Sequence, residues 1–453
     1  MKRPKCVYCF QFDEVRADHL SVYGYHRKQK YCEMIAADGV AFETAISPGA
    51  YTGAITPAVW TGCFGSRSGV RDPYMYVTAP LLQEVVRKIL GWPTQGCMSQ
   101  SVAGSGIGMN NGFDIFVEPT DPNAPDTWGD GVEHWEALGV HVDSRFHAKP
   151  VGKDYREDNK KFIRAHKDGN FYLYNQCYET HTGSQDYMLR AGKVKEGEMA
   201  EDSYYDAKIK WADENVIGGV VEELKAAGLY DDALIVIISD HGTTLRRRNW
   251  PMGDYIYEPL DVGELDNTHS SLYDVDLRVP LIIKYPGMPE KSKGQKIKGQ
   301  VRTVDVPPTV MDILGIPEDQ RPEMDGVSLI PSIEKLQGHG IRAYSEVVWS
   351  AYGMGSRQSL RENNWKYIRY LSSMCEEFFD LQKDPKEQVN LIERLKNHAP
   401  RWLKELREEC NDHYRAEARG IQRREMPSAE KAAIKARLKA LGYITDDAPS
   451  AAH

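Results

Sequence analysis

The chain has 453 residues, a length that suits a large α/β domain with a smaller one appended rather than one small core. With 41% hydrophobic and 27% charged residues it has the composition of a soluble globular protein, which argues against disorder away from the chain ends. Its formal net charge of -9 at pH 7 argues against nucleic acid as the main partner.

The N-terminal segment lacks the features of a signal peptide, because charges interrupt its apolar run early and no small-residue cleavage site follows. No stretch is long enough to cross a bilayer. The eight cysteines are scattered without a regular framework, which is typical of reduced thiols. We therefore expect a cytoplasmic protein with no membrane partner, and a homo-oligomer is compatible with this composition.

Three apolar runs each end in a carboxylate or an imidazole. They occupy residues 5–12, 170–181 and 233–241, and the polar side chains at their ends are Asp13, Glu14, His181, Asp240 and His241. Continuous apolar runs are typical of strands buried on both faces of a sheet. Because ligands bind beyond the carboxyl ends of such strands, we expect these side chains to converge at one edge of an α/β sheet.

The remaining patterns complete an α/β chain. Helical periodicity is found over residues 79–90 and 204–228. Another buried strand is predicted over 275–287, and 246–268 reads as a long loop over the site because it is polar and aromatic without a period. After about residue 340 the sequence pattern changes and predicts short strands and a charged helical tail. We therefore predict a larger domain over 1–340 and a smaller C-terminal α/β subdomain over 341–453.

The converging side chains are metal ligands by type. Carboxylates and imidazoles suit Zn²⁺, Mn²⁺ or Ca²⁺, so this edge of the sheet is predicted to hold one or two divalent ions. A purely structural role is the alternative. Asp13 and Glu14 would then form a solvated strand end beside Arg16, and Asp240 would form an Asx turn.

Taken together, these motifs resemble the sulfatase family of the alkaline phosphatase superfamily. FDEVRADHLSVYGY, residues 12–25, is similar to its opening motif, and IISDHG, residues 237–242, is similar to its metal-binding strand end. Further blocks follow in the family's order at residues 271–287, 303–316, 325–329, 365–370, 378–391 and 438–444. An ordered set of this kind is far more specific than any single motif.

The resemblance implies an alkaline-phosphatase-like α/β sandwich around a mostly parallel sheet, and hydrolysis of a small anionic ester of sulfate, phosphate or phosphonate at a divalent metal. By position, it implies metal ligands at Asp13, Glu14, Asp240 and His241. His181 matches a histidine that meets the leaving group or a non-bridging oxygen. His269 falls near the place of a lysine that contacts the sulfate, so it is expected to bind substrate or metal.

The chain departs from that family in SPGAYTGAITPAVWTG, residues 47–62. Sulfatases carry Cys/Ser-x-Pro-x-Arg ahead of a Thr-Gly pair and convert the cysteine or serine to formylglycine, and this spacing places Thr52 at the converted residue. Threonine cannot be converted. Because a hydroxyl bound to a divalent cation loses its proton readily, Thr52 is predicted to be both nucleophile and metal ligand. It would sit just ahead of a helix with Pro57 in its first turn, where the alternative role is a helix N-cap.

Three further residues are candidate substrate contacts. Thr56 replaces the family's arginine and, in the first helical turn, is expected to cap the helix or bind substrate. Asn110 and Asn111 lie in a polar turn, where their amides would contact an ester oxygen or serve the turn itself.

The main hypothesis is hydrolysis of a phosphodiester, phosphate monoester or phosphonate ester through Thr52. His181 or His269 would protonate the leaving oxygen, because imidazole donates and accepts protons near neutral pH. One alternative is a sulfuric ester hydrolase that does not use formylglycine. Another is a non-catalytic member that binds an anionic ligand or a partner.

Overall fold

The computed structural model describes residues 2–71, 75–100, 102–119, 154–181, 201–243, 271–348 and 356–414. The predictions for His269 and for the loop over 246–268 lie outside these residues. In the described part, nine strands form a central sheet. They are β1 (Cys6–Phe12), β2 (Val40–Ile46), β3 (Thr94–Met98), β4 (Ile115–Val117), β5 (Phe171–Cys177), β6 (Ala233–Ser239), β7 (Arg278–Val279), β8 (Leu281–Lys284) and β9 (Gln295–Arg302).

Strand β1 lies inside this sheet and is parallel to both of its neighbours, β5 and β6. The order across the sheet is β4-β3-β5-β1-β6-β8-β2-β7, with β9 paired to β2. The register aligns Phe12 with Cys177 on one side and with Ser239 on the other. The residues that follow these three strands therefore emerge at the same edge of the sheet, as the apolar runs predict.

Helices cover both faces of the sheet. The helices of the described part of the chain are α1 (Lys30–Asp38), α2 (Thr52–Thr61), α3 (Gly65–Ser68), α4 (Leu82–Leu90), α5 (Arg156–Ala165), α6 (Glu201–Ala212), α7 (Gly218–Ala226), α8 (Asp274–Leu277), α9 (Val306–Ile313), α10 (Ile330–Lys335), α11 (Ile392–His398) and α12 (Pro400–Tyr414). Because side chains alternate along a strand, Val7 and Cys9 of β1 pack into one core with α2, α4 and α9. Cys6, Tyr8 and Phe10 pack into a second core with α1, α5, α6 and α7. The expected α/β sandwich is thus confirmed.

The start of α2 differs from the prediction. The helix begins at Thr52 itself, so Pro57 lies inside it and Thr56 lies in its second turn. A proline at that position forfeits one backbone hydrogen bond, a loss that the packing of α2 in the core offsets. The N-cap is Tyr51, which makes no side-chain cap bond. Thr52 as the N-cap is therefore wrong.

A second, antiparallel sheet lies beside this segment. Its strands are β10 (Ala343–Val347), β11 (Arg357–Glu362), β12 (Trp365–Tyr370) and β13 (Glu376–Asp380). The Ser345 hydroxyl donates a hydrogen bond of 2.6 Å to the Ser47 carbonyl, and the Glu346 amide donates one of 2.9 Å to the Pro48 carbonyl. Strand β10 therefore holds the backbone just ahead of α2. Within the described ranges, none of the helices has the length and apolar character needed to cross a membrane.

The strand predicted over 275–287 is only partly correct. Helix α8 occupies its first residues, and the strand pairing is left to the short β7 and β8. The chain turns here because Asp274 pairs with Arg361 at 2.8 Å and with Lys366 at 2.6 Å, both from the second sheet.

Candidate metal centre

Five of the predicted site residues converge beyond the ends of β1, β5 and β6. Asp13, Asp240 and His241 are buried, and one potential ligand atom from each lies within 4.8 Å of the others. A second set obeys the same limit and joins Asp13 to Glu14 and His181. The structure therefore brings the five residues together, while their roles as ligands stay predictions.

Oδ1 of Asp13 and Oδ2 of Asp240 are buried and have no hydrogen-bond donor within the described part of the chain. The other oxygen of Asp13 accepts hydrogen bonds from Gln176, at 2.8 Å, and from Gln100. A buried polar atom without a partner costs free energy, and a cation would remove that cost. Two carboxylates and an imidazole are also a donor set that divalent ions prefer, so the residues present fit a divalent ion.

The carboxylates perturb one another. Burial raises the pKa of Asp13 well above its ordinary value, and the charges of Asp240 and Glu14 raise it further. Burial also raises the pKa of Asp240, although His241 and hydrogen bonds from backbone amides oppose that shift. Clustered buried carboxylates hold protons unless a cation compensates them, so a divalent ion would keep both groups ionised at neutral pH.

The Thr52 hydroxyl lies among these groups. It is buried and its Oγ1 is 3.2 Å from Nε2 of His241. The other ring nitrogen of His241 is 2.7 Å from the Gly242 carbonyl oxygen, so Nδ1 carries the proton and Nε2 offers a lone pair. The hydroxyl also lowers the pKa of both Asp13 and Asp240. Because helix N-termini attract anions, Thr52 stands where an ester anion and a metal ion would meet.

Glu14 and His181 form a pair at the other side of Asp13. Glu14 has a left-handed backbone with φ of 62°, and its Oε1 is 2.8 Å from Nε2 of His181. The imidazole stacks on the ring of Tyr178, with the ring centroids 4.7 Å apart. Two side chains of α6 support this pair, because Tyr205 donates to the Glu14 carbonyl and Lys208 to the His181 carbonyl, each at 2.6 Å. Burial lowers the pKa of Lys208 to about 7, against the opposing charge of Glu14.

Three residues around this site were not predicted from the sequence. Gln176 lies within the apolar run of β5, Gln100 follows β3, and Lys208 occupies the buried face of α6 beside Tyr205. A polar side chain on an otherwise apolar face was the signal available for Gln176 and Lys208. Gln100 had no such signal, because it lies in a loop.

The predicted substrate contacts have other surroundings in the described structure. Thr56 is fully buried, and its hydroxyl accepts a hydrogen bond of 2.8 Å from Gln11. Gln11 in turn accepts one of 2.7 Å from the indole of Trp60. Asn110 and Asn111 are exposed in the turn before β4. Substrate binding by these residues stays a prediction.

The fold and the site together define a class: an α/β sandwich with a candidate metal centre where its central strands end. Comparison with known families agrees. The profile of the family described as Sulfatase matches residues 7–316, more than half of the chain. A second profile, described as N-sulphoglucosamine sulphohydrolase, C-terminal, matches residues 267–415. The chain belongs to the sulfatase family.

Individual curated relatives match only part of this chain. Choline-sulfatase of Rhizobium meliloti (strain 1021) is 32% identical over 194 residues, which are 42% of this chain and 32% of that protein. The chain spans 31% to 38% of the length of the curated relatives it matches.

Two solved structures are similar over nearly the whole fold. The structure of BT4656 in complex with its substrate D-glucosamine-2-N,6-O-disulfate has a TM-score of 0.67 at 18% identity, covering 92% of this chain and 99% of that one. Phosphonate monoester hydrolase of Agrobacterium radiobacter has a TM-score of 0.64 at 17% identity, covering 91% and 96%. At these identities the likeness shows a shared fold.

Proposed function

We propose that this chain is a metal-dependent hydrolase of monoanionic esters, with Thr52 as nucleophile and a sulfuric ester as substrate. The observation that carries the proposal is the buried Thr52 hydroxyl, 3.2 Å from Nε2 of His241 at the start of α2. Membership of the sulfatase family supports a sulfuric ester better than the phosphoric esters of the main hypothesis. A sulfated sugar is the form to test first, because BT4656 was solved with one.

The charge of the site disfavours a substrate with two negative charges. Its described ionisable side chains include the carboxylates of Asp13, Glu14 and Asp240 and the ammonium of Lys208, all buried. With Lys208 protonated they sum to two negative charges, which one divalent ion balances. These side chains and the ion then offer no net positive charge to a bound ester, so each negative charge on the ester adds to the desolvation cost, and a dianion costs more than a monoanion. Sulfuric monoesters, phosphodiesters and phosphonate monoesters each carry a single charge.

Each residue of the site has a separate role in the proposed reaction. A divalent ion held by Asp13, Asp240 and His241 would polarise the ester and lower the pKa of the Thr52 hydroxyl. Thr52 Oγ1 bonds to sulfur while the ester S–O bond breaks, its proton passes to solvent, and His181 gives a proton to the departing oxygen. Water then bonds to sulfur, the bond to Thr52 breaks, and His181 takes a proton from the water as Thr52 regains its own.

A phosphodiester or phosphonate monoester is the second candidate. Thr52 itself favours it, because a threonine ester of the transferred group can be cleaved only by attack of water at the central atom, a route that phosphorus esters readily take. The fold likeness to a phosphonate monoester hydrolase is compatible with this candidate. A non-catalytic anion binder is disfavoured by the open carboxylate oxygens of Asp13 and Asp240, for which mere binding of an anion has no use.

A substrate panel with two Thr52 variants tests the proposal. Wild type, Thr52→Ala and Thr52→Ser are assayed on an aryl sulfate, a sulfated sugar, a phosphodiester and a phosphonate monoester, and metal content is measured by elemental analysis. We expect sulfate hydrolysis by wild type, a loss of about 1,000-fold or more in kcat for Thr52→Ala with its metal retained, and partial activity for Thr52→Ser. Unchanged turnover by Thr52→Ala would exclude the nucleophile. Turnover of the phosphorus esters alone would select the second candidate.

A further inference from the structure

Two buried glutamines donate to the same oxygen of Asp13. The side-chain amides of Gln100 and Gln176 both donate hydrogen bonds to Oδ2 of Asp13, and the bond from Gln176 is 2.8 Å long. An ionised carboxylate can only accept hydrogen bonds, so both amides present their NH2 groups to it. Among the residues that the structure describes, each of these amide groups has Asp13 as its one hydrogen-bond partner.

The two oxygens of Asp13 are therefore unequal. A carboxylate oxygen has two lone pairs, and the two amides occupy both of those on Oδ2. A cation can bind this oxygen only if one of the hydrogen bonds breaks. Oδ1 has no donor within the described part of the chain, so its lone pairs are available to a cation.

The backbone at the ends of β3 and β5 holds the two amides in place. Gln176 pairs with Met98 in the parallel register, and Gln100 follows Met98 by two residues. The carbonyl of Gln176 accepts a hydrogen bond of 2.9 Å from the Tyr155 hydroxyl and one of 3.2 Å from the Ser99 amide. The backbone on either side of the two amides is thus fixed by hydrogen bonds, and partners held in this way orient a metal ligand.

We propose that Gln100 and Gln176 are positioning residues that hold Oδ2 of Asp13, so that Asp13 binds a divalent ion through Oδ1 alone. The inference rests on the proposed function, because it concerns the ion which that function requires. Asp13 then fills one coordination position rather than two. Neutral amides suit this role, since a charged donor in their place would repel the ion.

The distribution of donors favours this role over simple satisfaction of a buried carboxylate. One amide on each oxygen would reduce the desolvation cost of both oxygens, whereas two amides on Oδ2 leave Oδ1 with its full cost. Oε1 of Gln176 is also buried without a donor in the described ranges. Without a ligand for Asp13, the arrangement therefore costs free energy that a more even one would avoid.

Metal affinity, measured without substrate, tests the inference. Chelated and dialysed samples of wild type, Gln100→Met, Gln176→Met and the double variant are titrated with Mn²⁺ and with Ca²⁺ by isothermal titration calorimetry. Methionine keeps most of the side-chain volume and removes the donor. We expect the Kd for Mn²⁺ to rise by about 10- to 100-fold in the double variant, and by at least about 3-fold in each single variant.

Gln95→Met is the matched control. Gln95 is also buried and lies on β3, but its amide donates to Asn159 at 3.3 Å rather than to Asp13. The control therefore loses a buried amide without releasing Oδ2 of Asp13. Its Kd for either ion should stay within about 2-fold of the wild-type value.

Comparison of the two ions separates positioning from a general loss of structure. Ca²⁺ takes about six to eight oxygen ligands and accepts both oxygens of one carboxylate, whereas the smaller Mn²⁺ favours octahedral sites. Once Oδ2 is released, Asp13 can bind Ca²⁺ with both oxygens, which offsets part of the lost orientation. We therefore expect the double variant to lose at least about 3-fold less affinity for Ca²⁺ than for Mn²⁺.

The outcomes decide between the two roles. An unchanged Kd in the double variant, an equal loss for both ions, or the same loss in Gln95→Met would overturn the inference. If the double variant does not fold, as judged by circular dichroism, Gln100→Met carries the test because Gln100 lies beyond the end of β3. Wild type that binds neither ion would overturn the inference and the proposed function together. Wild type that binds an ion but hydrolyses no ester would end the proposed function alone.

Discussion

Removal of the divalent ion is expected to lower the thermal stability of the protein. The ion would compensate the buried carboxylates of Asp13 and Asp240, each with one oxygen that has no donor in the described structure. An ion at a hundred times its dissociation constant stabilises a fold by about 2.7 kcal/mol. Since about 1 kcal/mol moves the melting temperature of a large domain by about 2 to 4 °C, we expect chelation to lower it by about 5 to 10 °C.

In the metal-free protein, the substitution Asp240→Asn should raise the melting temperature rather than lower it. Burial raises the pKa of Asp240, so its ionisation costs stability as the pH rises from its unfolded pKa, near about 3.9, through its folded pKa. The substitution removes that charge. At pH 7, chelated Asp240→Asn should therefore melt above chelated wild type, and the melting temperature of the variant should fall less as the pH rises.

Differential scanning fluorimetry from pH 5 to pH 8, with chelator or with added ion, measures both effects. Asp319→Asn is the matched control, because Asp319 is exposed between α9 and α10 and belongs to neither set of converging side chains. It should follow wild type throughout. The reasoning is refuted if added ion raises the melting temperature of Asp240→Asn as much as that of wild type, since the ion would then bind elsewhere.

Two further substitutions test the support of the nucleophile. In Gly49→Ala the new Cβ would lie 2.3 Å from the Glu346 carbonyl oxygen. We therefore expect the free energy of unfolding to fall by about 1 to 3 kcal/mol and kcat to fall as well. An unchanged thermal melt would show that β10 does not fix this segment. Gln11→Leu leaves the indole of Trp60 and the hydroxyl of Thr56 without this buried partner. The free energy of unfolding in urea should therefore fall by about 1 to 3 kcal/mol. A midpoint equal to that of wild type would contradict this hydrogen-bond network.

The sheet and the convergence at its edge could be predicted because they depend on local pattern. Strands β1, β5 and β6 are buried on both faces, and burial of that kind produces continuous apolar runs. Parallel pairing then aligns their carboxyl ends. The apolar runs and this pairing are therefore enough to predict that the side chains after the three strands lie close together. Asp13, Asp240 and His241 belong to this predictable part.

The Glu14–His181 pair could not be predicted as a pair. It depends on the left-handed backbone at Glu14, with φ of 62°, a conformation that sequence pattern does not signal for glutamate. It also depends on Lys208 and Tyr205, which reach it from a helix far along the chain. Such contacts depend on tertiary packing, and the spacing of residues along the sequence does not predict them.

The start of α2 was misplaced for a related reason. Proline is common in the first turn of helices, so Pro57 suggests a helix that begins close to it. The helix begins at Thr52 instead because strand β10 holds the backbone ahead of it through Ser47 and Pro48. That earlier start places the Thr52 hydroxyl at the helix terminus, where its Oγ1 is 3.2 Å from Nε2 of His241.

The predicted placement of Thr52 and Thr56 in the sulfatase motif implies one coordinated change. At the predicted place of the arginine, Thr56 is buried in a neutral network with Gln11 and Trp60, so it would bring no cation to the ester. At the predicted place of the cysteine or serine, Thr52 would offer a hydroxyl that depends on a bound cation for its activation. Under this prediction a metal ion and the terminus of α2, rather than a side-chain charge, would stabilise an anionic ester. Activity should therefore depend on the bound ion more steeply than in a relative that keeps the arginine.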